Sequence, residues 1–214
     1  MGFFPLFMDL SGKEALMVGG GPAAERKVKT LLEFGASVRL VSPQATPELL
    51  RLAAVGALQY RKREYGRGDL ESVSLAVAAV RNREVGRAVY RDAAARSVPV
   101  NVVDMPEFCT FFFPAVVKRG DLVIGVTTSG SYPAFSRYAR EKLEALFPEC
   151  CGEMLRVLKE DRRKVRREIK DPALRKKVLE ELLEMAVRAE SESESLTVCR
   201  GPGEGAAHAA FRRR

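Results

Sequence analysis

Apolar and polar positions in the first hundred residues form two alternating kinds of segment. Short runs that are almost wholly apolar predict buried strands, and longer stretches with apolar residues three and four apart predict amphipathic helices. The predicted strands cover residues 14–18, 37–41, 58–63, 74–80 and 98–103, and the predicted helices cover residues 23–34, 47–54 and 84–96. Strands and helices that alternate in this way indicate an α/β fold, with a parallel sheet covered on both faces.

The pattern changes after residue 110. Two further β-rich runs, residues 111–117 and 122–127, are separated by only four residues. This spacing favours an antiparallel hairpin, because a parallel connection needs a much longer crossover. A helix over residues 134–146 follows, and then a charged helical region over residues 152–189 that is interrupted near Pro172, a residue that suits the first turn of a new helix. From residue 190 the composition predicts a disordered tail.

Composition places the chain among ordinary globular proteins. Of its 214 residues, 46% are apolar and 30% are charged, which excludes a collagen, a disulfide scaffold and a wholly disordered chain. No uncharged run approaches the roughly 18 residues of a membrane span. The apolar N-terminus carries Asp9 and no basic residue before it, so it is a poor signal peptide. A cytoplasmic protein without a membrane partner is therefore expected.

The charge balance is basic, with 36 Lys and Arg against 28 Asp and Glu, and a net charge of +8. A nucleic acid or a polyanionic small molecule would each account for it. Basic residues are interleaved with acids and no recognition motif is present, so nucleic acid is the less favoured partner. The four cysteines fit no zinc template, and the single histidine, His208, lies in the predicted tail, so no metal site is expected.

A glycine-rich turn joins the first predicted strand to the first predicted helix. It reads Gly19, Gly20, Gly21, Pro22, Ala23, Ala24, which fits the pattern G-x-G-x-x-G/A. In this pattern the first glycine permits the tight turn, the second lets the backbone approach a pyrophosphate, and the final small residue lets the helix pack closely on the strand. The helix N-terminus then offers amides to the phosphates. Within a βαβ unit, the motif favours dinucleotide binding over a purely structural turn.

An acid that many NAD sites use is missing from this sequence. Such sites often carry Asp or Glu about 20 residues after the glycines, at the end of the second strand, where it binds the ribose. Ser42 and Pro43 stand there instead. Arg39 in the same strand is a candidate for a 2′-phosphate pocket, although a strand arginine more often points to solvent. Charge alone therefore leaves NAD and NADP both open.

Asp104 follows the fifth predicted strand. Ligands of open α/β sheets bind at the carboxyl ends of the strands, so an acid at this place suits general acid/base catalysis. The structural alternative is that Asp104 caps the turn before Pro106. Position alone favours neither interpretation.

A second group of candidates follows the predicted hairpin. The polar loop with Thr128, Ser129 and Gly130 is able to bind an anion through amides and hydroxyls, or to cap the next helix. Arg137 and Arg140 on that helix are able to bind carboxylates, or to remain as solvated surface charges. The residues leave both pairs of alternatives open.

These motifs, taken in order, resemble the precorrin-2 dehydrogenase/sirohydrochlorin ferrochelatase family of siroheme biosynthesis, which includes the N-terminal module of siroheme synthase. The matching segments are residues 4–7, 18–21, 24, 26–27, 41–43, 101–104, 109–111, 114–115, 119–122 and 128–133. They cover about residues 3 to 148 and are specific as a set. The helical region after residue 152 fits the family in length and charge only.

The resemblance implies an NAD⁺-dependent oxidation of precorrin-2 to sirohydrochlorin and, in some members, insertion of Fe²⁺ to give siroheme. The family's aspartate falls on Asp104, which would act as the base. The implied NAD site uses no acid at Ser42 and Pro43, and it includes Gly19, Gly20, Gly21, Pro22, Ala23, Ala24, Ala79 and Val80. The implied tetrapyrrole substrate is rich in carboxylates, which Thr128, Ser129, Gly130, Arg137 and Arg140 would bind. A polycarboxylate accounts for the positive charge without nucleic acid.

The resemblance also implies an organisation into domains and a homodimer. The expected parts are a Rossmann-like NAD-binding domain over residues 1–113, a dimerisation region over 114–148, a helical region over 149–189, and the tail over 190–214. Two departures from the family concern the NAD pocket: Val80 replaces a hydroxyl-bearing residue, and Gly86 stands near a common Asn. The alternative from another functional class is an NAD-binding regulatory or sensor module without catalysis.

Overall fold

Five parallel strands form the central sheet of the computed structural model, which describes residues 3–197, with side chains described up to residue 189. The strands are β1 (Glu14–Val18), β2 (Ser37–Val41), β3 (Gln59–Arg61), β4 (Leu75–Ala78) and β5 (Val100–Val102). Their order in the sheet is β3-β2-β1-β4-β5, and every neighbouring pair is parallel. The predicted α/β fold with a Rossmann-like sheet is confirmed.

Helices cover both faces of this sheet, because alternate residues of each strand point to opposite sides. The helices are α1 (Pro22–Glu33), α2 (Pro47–Ala54) and α3 (Arg83–Ala94). On one face Met17 packs in a cluster with Val28 of α1, and on the other Leu16 packs in a cluster with Val89 of α3. All four of these side chains are fully buried.

The chain reverses its direction of travel across the sheet between β3 and β4. From β1 it proceeds outward to β2 and β3, and it then returns to the other side of β1 to form β4 and β5. The carboxyl ends of β1 and β4 are therefore adjacent and their following loops lead to opposite sides of the sheet. In open α/β sheets this switch point leaves a crevice in which ligands bind.

The hairpin forms, but its boundaries differ from the prediction. Its strands are β6 (Ala115–Arg119) and β7 (Leu122–Val126), and Arg119 pairs with Leu122, so the turn has two residues rather than four. Gly120 has a φ of +57°, and this left-handed conformation is what a tight two-residue turn requires. Phe111 and Phe113, which were predicted to begin the first strand, instead pack against the core of the parallel sheet.

Three helices follow the hairpin: α4 (Pro133–Leu146), α5 (Cys150–Glu168) and α6 (Pro172–Thr197). Helix α6 begins at Pro172 as predicted, but it continues past residue 189 into the segment predicted to be a disordered tail. Glu in that segment is a strong helix former, which favours continuation of the helix. Residues 198–214, which include Cys199 and His208, lie outside the described residues.

The chain divides into two compact units. The first contains residues up to Pro114 together with Thr127–Ser136, and the second contains Ala115–Val126 together with the residues from Arg137 onward. In the second unit α5 lies close against the hairpin, where Lys159 Nζ is 2.6 Å from Asp121 Oδ2. Within residues 3–197, no helix has the length and apolar character needed to cross a membrane.

Candidate functional site

A cleft of about 1080 Å³ lies at the carboxyl edge of the parallel sheet. Most of the residues predicted for the cofactor and for catalysis line it together: Gly19, Gly20, Gly21, Pro22, Ala23, Ser42, Pro43, Ala79, Val80 and Asp104. Ala24 lies behind this surface and is fully buried, which lets α1 approach the sheet closely. The topology thus brings together segments that are up to 85 positions apart, from Gly19 to Asp104.

Two of the three glycines are required by the packing of the protein itself. Gly19 has a φ of +103°, and a Cβ there would lie 2.2 Å from the carbonyl oxygen of Ala79. A Cβ on Gly20 would lie 2.1 Å from the carbonyl oxygen of Gln44. Real Cβ atoms do not approach backbone so closely, so these positions accept no larger residue without a backbone shift.

Gly21 differs from its neighbours, because a Cβ there would meet no protein atom within 4 Å. It is the N-cap of α1, and no side chain caps that helix end. The first turn of α1 therefore opens onto the cleft beside a residue that leaves space for a ligand. Free amides and the positive end of a helix are suited to the pyrophosphate of a dinucleotide. These features fit NAD.

Glu64 is a cleft residue that the sequence did not reveal. It lines the same cleft as Ser42 and Pro43, which follow β2, but it comes from the loop after β3. Since β2 and β3 are neighbours in the sheet, their carboxyl ends lie side by side. Glu64 therefore brings a carboxylate to the region from which the usual acid after β2 is missing. A negative charge there disfavours a 2′-phosphate, in agreement with NAD.

Arg39 does not belong to a 2′-phosphate pocket, and it does not point to solvent either. Its side chain is buried, with Nη2 2.6 Å from Glu14 Oε1. Nη1 donates a hydrogen bond of 3.0 Å to the carbonyl oxygen of Asp69. Both sequence-based alternatives were wrong, because Glu14 and a backbone carbonyl bind this charge inside the protein, where a buried guanidinium needs such partners. Only its Nε has no hydrogen-bond partner among the described residues.

Asp104 lies in a tight turn at the mouth of the cleft. The amide of Met105 donates a 3.2 Å hydrogen bond to the carbonyl of Val102, and Asp104 has a φ of +62°. A positive φ at the third position is typical of a type II turn, and Asp tolerates it better than most residues. Within the described residues the Asp104 carboxylate makes no hydrogen bond, so it does not cap the turn before Pro106. The carboxylate is solvent-exposed at the cleft.

Lys27 of α1 is a second residue to which the sequence assigned no role in the site. Its Nζ lies 3.9 Å from the centre of the Phe113 ring. Burial lowers the pKa of Lys27 to about 8, while the nearby Cys109 and Asp104 act in the opposite direction. Lys27 is thus a partly buried cation that interacts electrostatically with Asp104.

The predicted substrate loop is largely occupied with its own structure. Thr128 Oγ1 accepts a 3.1 Å hydrogen bond from the amide of Tyr132, at the start of α4, and the carbonyl of Thr128 accepts one from Ser131 Oγ. Thr128 therefore shapes the loop that leads into α4, and its predicted roles as an anion site or a helix cap stay predictions. Ser129 and Gly130 have left-handed backbones. None of the loop residues Thr128, Ser129 and Gly130 lines the cleft.

The two predicted substrate arginines lie in the second unit and differ from each other. Arg140 forms ion pairs with Glu144 and with Glu141. Arg137 is exposed, and no ion pair engages it within the part of the chain that is described. Arg137 is therefore available to bind a carboxylate, whereas the charge of Arg140 is already neutralised.

No group of three or more His, Cys, Asp or Glu side chains that could hold a metal ion occurs in residues 3–197. The absence of a resident metal remains a prediction, since the remaining residues are not described.

The doubly wound sheet, the glycine turn and the cleft at the switch point together define a dinucleotide-binding protein. The chain belongs to the family described as "Putative NAD(P)-binding", whose profile matches residues 6–115.

Relatives extend this family assignment along the chain. It is 38% identical over 184 residues, or 86% of its length, to the siroheme synthase of Thioalkalivibrio sulfidiphilus. It is 40% identical over 157 residues, or 73% of its length, to the siroheme synthase of Neisseria meningitidis. The chain spans only 38% and 33% of these two relatives. Among solved structures, it is similar to SirC, precorrin-2 dehydrogenase, with a TM-score of 0.70 and 26% identity over 84% of this chain and 89% of that one.

Proposed function

We propose that this protein is an NAD-dependent dehydrogenase that oxidises precorrin-2 to sirohydrochlorin in siroheme biosynthesis. The observation that carries the proposal is a free carboxylate, Asp104, at the mouth of a cleft whose glycine turn fits a dinucleotide. The similarity to SirC, precorrin-2 dehydrogenase, over most of both chains supports the substrate. The siroheme synthase relatives support the pathway. NAD⁺, when bound, supplies a hydride acceptor.

Asp104 is the base in this proposal. Oxidation of precorrin-2 removes a proton as well as a hydride, and a carboxylate without hydrogen-bond partners is able to accept that proton. Lys27, a partly buried cation, lies in the same region and interacts electrostatically with Asp104.

Arginine side chains bind the carboxylates of the tetrapyrrole in this proposal. Arg137 is the foremost candidate because it is exposed and unpaired among the described residues. Arg140 is the weaker candidate because Glu144 competes for it. The proposal also includes a homodimer, which forms through residues 114–148, and a location in the cytoplasm. Fe²⁺ is a further substrate if the same site also inserts the metal. Metal insertion would also release two pyrrole protons, which the exposed Asp104 would accept one after the other and pass to solvent.

Replacement of Asp104 tests the proposal. Anaerobic assays with precorrin-2 and NAD⁺ should show that Asp104→Ala lowers turnover by about 10²–10⁴-fold, the usual contribution of a general base. NAD⁺ affinity and melting temperature should remain close to those of the unaltered protein. A matched control is Glu107→Ala, which removes a nearby exposed carboxylate that pairs with Arg83 at the surface.

Three results would count against this function. Turnover of Asp104→Ala near that of the unaltered protein would show that the base lies elsewhere. Turnover that falls only in step with folding would show a structural role. Binding of NAD⁺ without any NADH formation from precorrin-2 in the unaltered protein would favour a regulatory NAD-binding module instead.

A further inference from the structure

Strand β5 is an edge strand, and the segment around Cys109 and Thr110 bonds its outer backbone groups. The backbone amide of Thr110 donates to the Val100 carbonyl at 2.8 Å, and side chains bond the outer amides. The amide of Val103 pairs inward with the carbonyl of Ala78, so the amides of Val100 and Val102 face outward. Thr110 Oγ1 accepts a hydrogen bond of 2.8 Å from the Val100 amide, and Cys109 Sγ accepts one of 3.3 Å from the Val102 amide. The two side chains thus occupy the places that carbonyls of a sixth strand would take.

The sulfur of Cys109 makes further contacts that all lie around the Asp104 turn. It accepts a hydrogen bond of 3.4 Å from Asn101 Nδ2. The thiol is also close enough to donate a hydrogen bond to the carbonyl oxygen of Val102, at 3.2 Å, or of Met105, at 3.4 Å. Val102 and Met105 are the two ends of the turn that carries Asp104. One side chain therefore contacts the backbone on both sides of the proposed base.

The thiol is suited to this structural task rather than to nucleophilic chemistry. Burial raises the pKa of Cys109. The S–H proton is therefore retained at neutral pH, and the sulfur is able to donate and to accept at the same time. A reactive cysteine would need the opposite environment, with its pKa lowered.

We propose that Cys109 is a positioning residue that holds the Val102–Met105 turn, so that the Asp104 carboxylate is presented to the cleft. This proposal rests on the proposed function, because it assigns Cys109 a role through Asp104. It predicts that loss of the sulfur misplaces the carboxylate without altering the dinucleotide-binding turn at residues 19–24. Misplacement of a reacting group by about 1 Å costs about 10²-fold in rate.

Two substitutions at Cys109 separate positioning from simple packing. Cys109→Ala removes the donor and the acceptor, and it should lower kcat for precorrin-2 oxidation by about 10–100-fold, with the KM and Kd for NAD⁺ nearly unchanged. Cys109→Ser restores a side chain that donates and accepts, and it should recover most of that loss. Cys109→Val fills the space without hydrogen bonds and should behave like Cys109→Ala. This variant keeps the test decisive if Cys109→Ala folds poorly.

Thr110→Val is the matched control. It removes a neighbouring side-chain bond to the same edge of β5, but at Val100, away from the Asp104 turn. It should lower the melting temperature without a selective loss of kcat. If Thr110→Val and Cys109→Ala lower kcat equally, or if Cys109→Ser and Cys109→Val behave alike, the contacts of Cys109 only stabilise the edge and the proposal is wrong.

A double substitution distinguishes failure of this proposal from failure of the proposed function. If Cys109 acts through Asp104, then Cys109→Ala should reduce kcat little further once Asp104→Ala is present, because the two effects are not additive. Full additivity would overturn the positioning role while leaving Asp104 as the base. If Asp104→Ala alone retains its turnover, the proposed function itself fails, whatever Cys109 does.

Discussion

At the scale of single residues, three consecutive glycines serve different purposes. Gly19 and Gly20 lie so close to the backbone of Ala79 and Gln44 that the fold itself excludes a side chain. Gly21 has open space around it, so its lack of a side chain benefits a ligand rather than the packing. We therefore infer that the motif contains two structural glycines, and that the third, Gly21, leaves room for the proposed dinucleotide.

Substitution of Gly21 should separate ligand binding from folding. Gly21→Asp places a carboxylate where the pyrophosphate is expected, and we expect NAD⁺ affinity to fall by at least about tenfold, or about 1.4 kcal/mol. The melting temperature should change little, since no protein atom is displaced. Calorimetric titration with NAD⁺ and thermal unfolding measure the two effects.

Gly20→Ala is the contrasting variant for that experiment. Its Cβ would collide with the Gln44 carbonyl, so it should destabilise the protein by about 1–3 kcal/mol. Unchanged NAD⁺ affinity in Gly21→Asp would contradict the placement of the dinucleotide.

At the scale of secondary-structure elements, a short 3₁₀ turn, Arg67–Leu70, organises the connection that follows β3. Asp69 in this turn is almost completely buried, and it accepts hydrogen bonds from Arg61, from Arg63 and from the amide of Gly66. These bonds fold the loop back on β3 and so hold Glu64 beside the cleft. The connection contributes to the lining of the cleft although it contains no recognisable motif.

Asp69→Asn should weaken this connection, because an amide is neutral and replaces an acceptor with a donor. We expect a loss of about 1–3 kcal/mol in the free energy of unfolding, measured by urea titration at neutral pH. A modest decrease in NAD⁺ affinity should accompany it. The conservative control is Glu71→Gln, at an exposed neighbouring position, which should change neither quantity.

The same substitution should change the acid sensitivity of the protein. Burial favours the protonated form of Asp69, but the hydrogen bonds from Arg63, Gly66 and Arg61 prevail and lower its pKa below the ordinary value of 3.8. A lowered carboxyl pKa stabilises the fold above pH 3.8, and this contribution is lost as the pH falls through the folded-state pKa. The stability difference between the two proteins should therefore shrink below about pH 4. A difference that persists unchanged would show that ionisation of Asp69 is irrelevant.

At the scale of the whole molecule, the net charge of +8 includes two kinds of basic side chain. Some form ion pairs with acidic side chains, and others do not. Arg156, for example, is bound by Glu153 and Glu160. Arg162, Arg166 and Arg175 line a groove between α5 and α6, and no ion pair involves them within residues 3–197. Like Arg137, these unpaired cations are available to attract the polycarboxylate substrate that we propose.

Ionic strength should therefore affect the two substrates differently. Added salt shortens the Debye length from about 10 Å at 0.1 M to about 3 Å at 1 M. The KM for precorrin-2 should rise several-fold over this range, and more than the KM for NAD⁺. Arg137→Gln should reduce this salt dependence, and Arg140→Gln should do so less, because Glu144 already neutralises Arg140. Equal responses of both KM values would contradict the binding of carboxylates by exposed arginines.

Local patterns in the sequence were sufficient for the order and type of nearly all the elements. The spacing of apolar residues matches the period of the strand or helix that places them on a buried face. Apolar runs and helical spacing therefore predicted the five parallel strands and their helices. The glycine turn and the strand-end position of Asp104 were visible for the same reason, since each depends on neighbours in the chain. Strand ends, such as those of β4 and β5, were predicted too long because the adjoining turns also contain apolar residues.

Contacts between distant segments decided the rest. Arg39 is satisfied by Glu14 and by the Asp69 carbonyl, Glu64 reaches the cleft from the loop after β3, and Cys109 contacts the turn that carries Asp104. The pKa of Lys27 is lowered by burial, which depends on what packs around α1. A one-dimensional pattern records which side of an element is apolar, but not which residues from other elements meet it. Partner, distance and desolvation are therefore properties of the packed structure, and these properties determined the details of the candidate site.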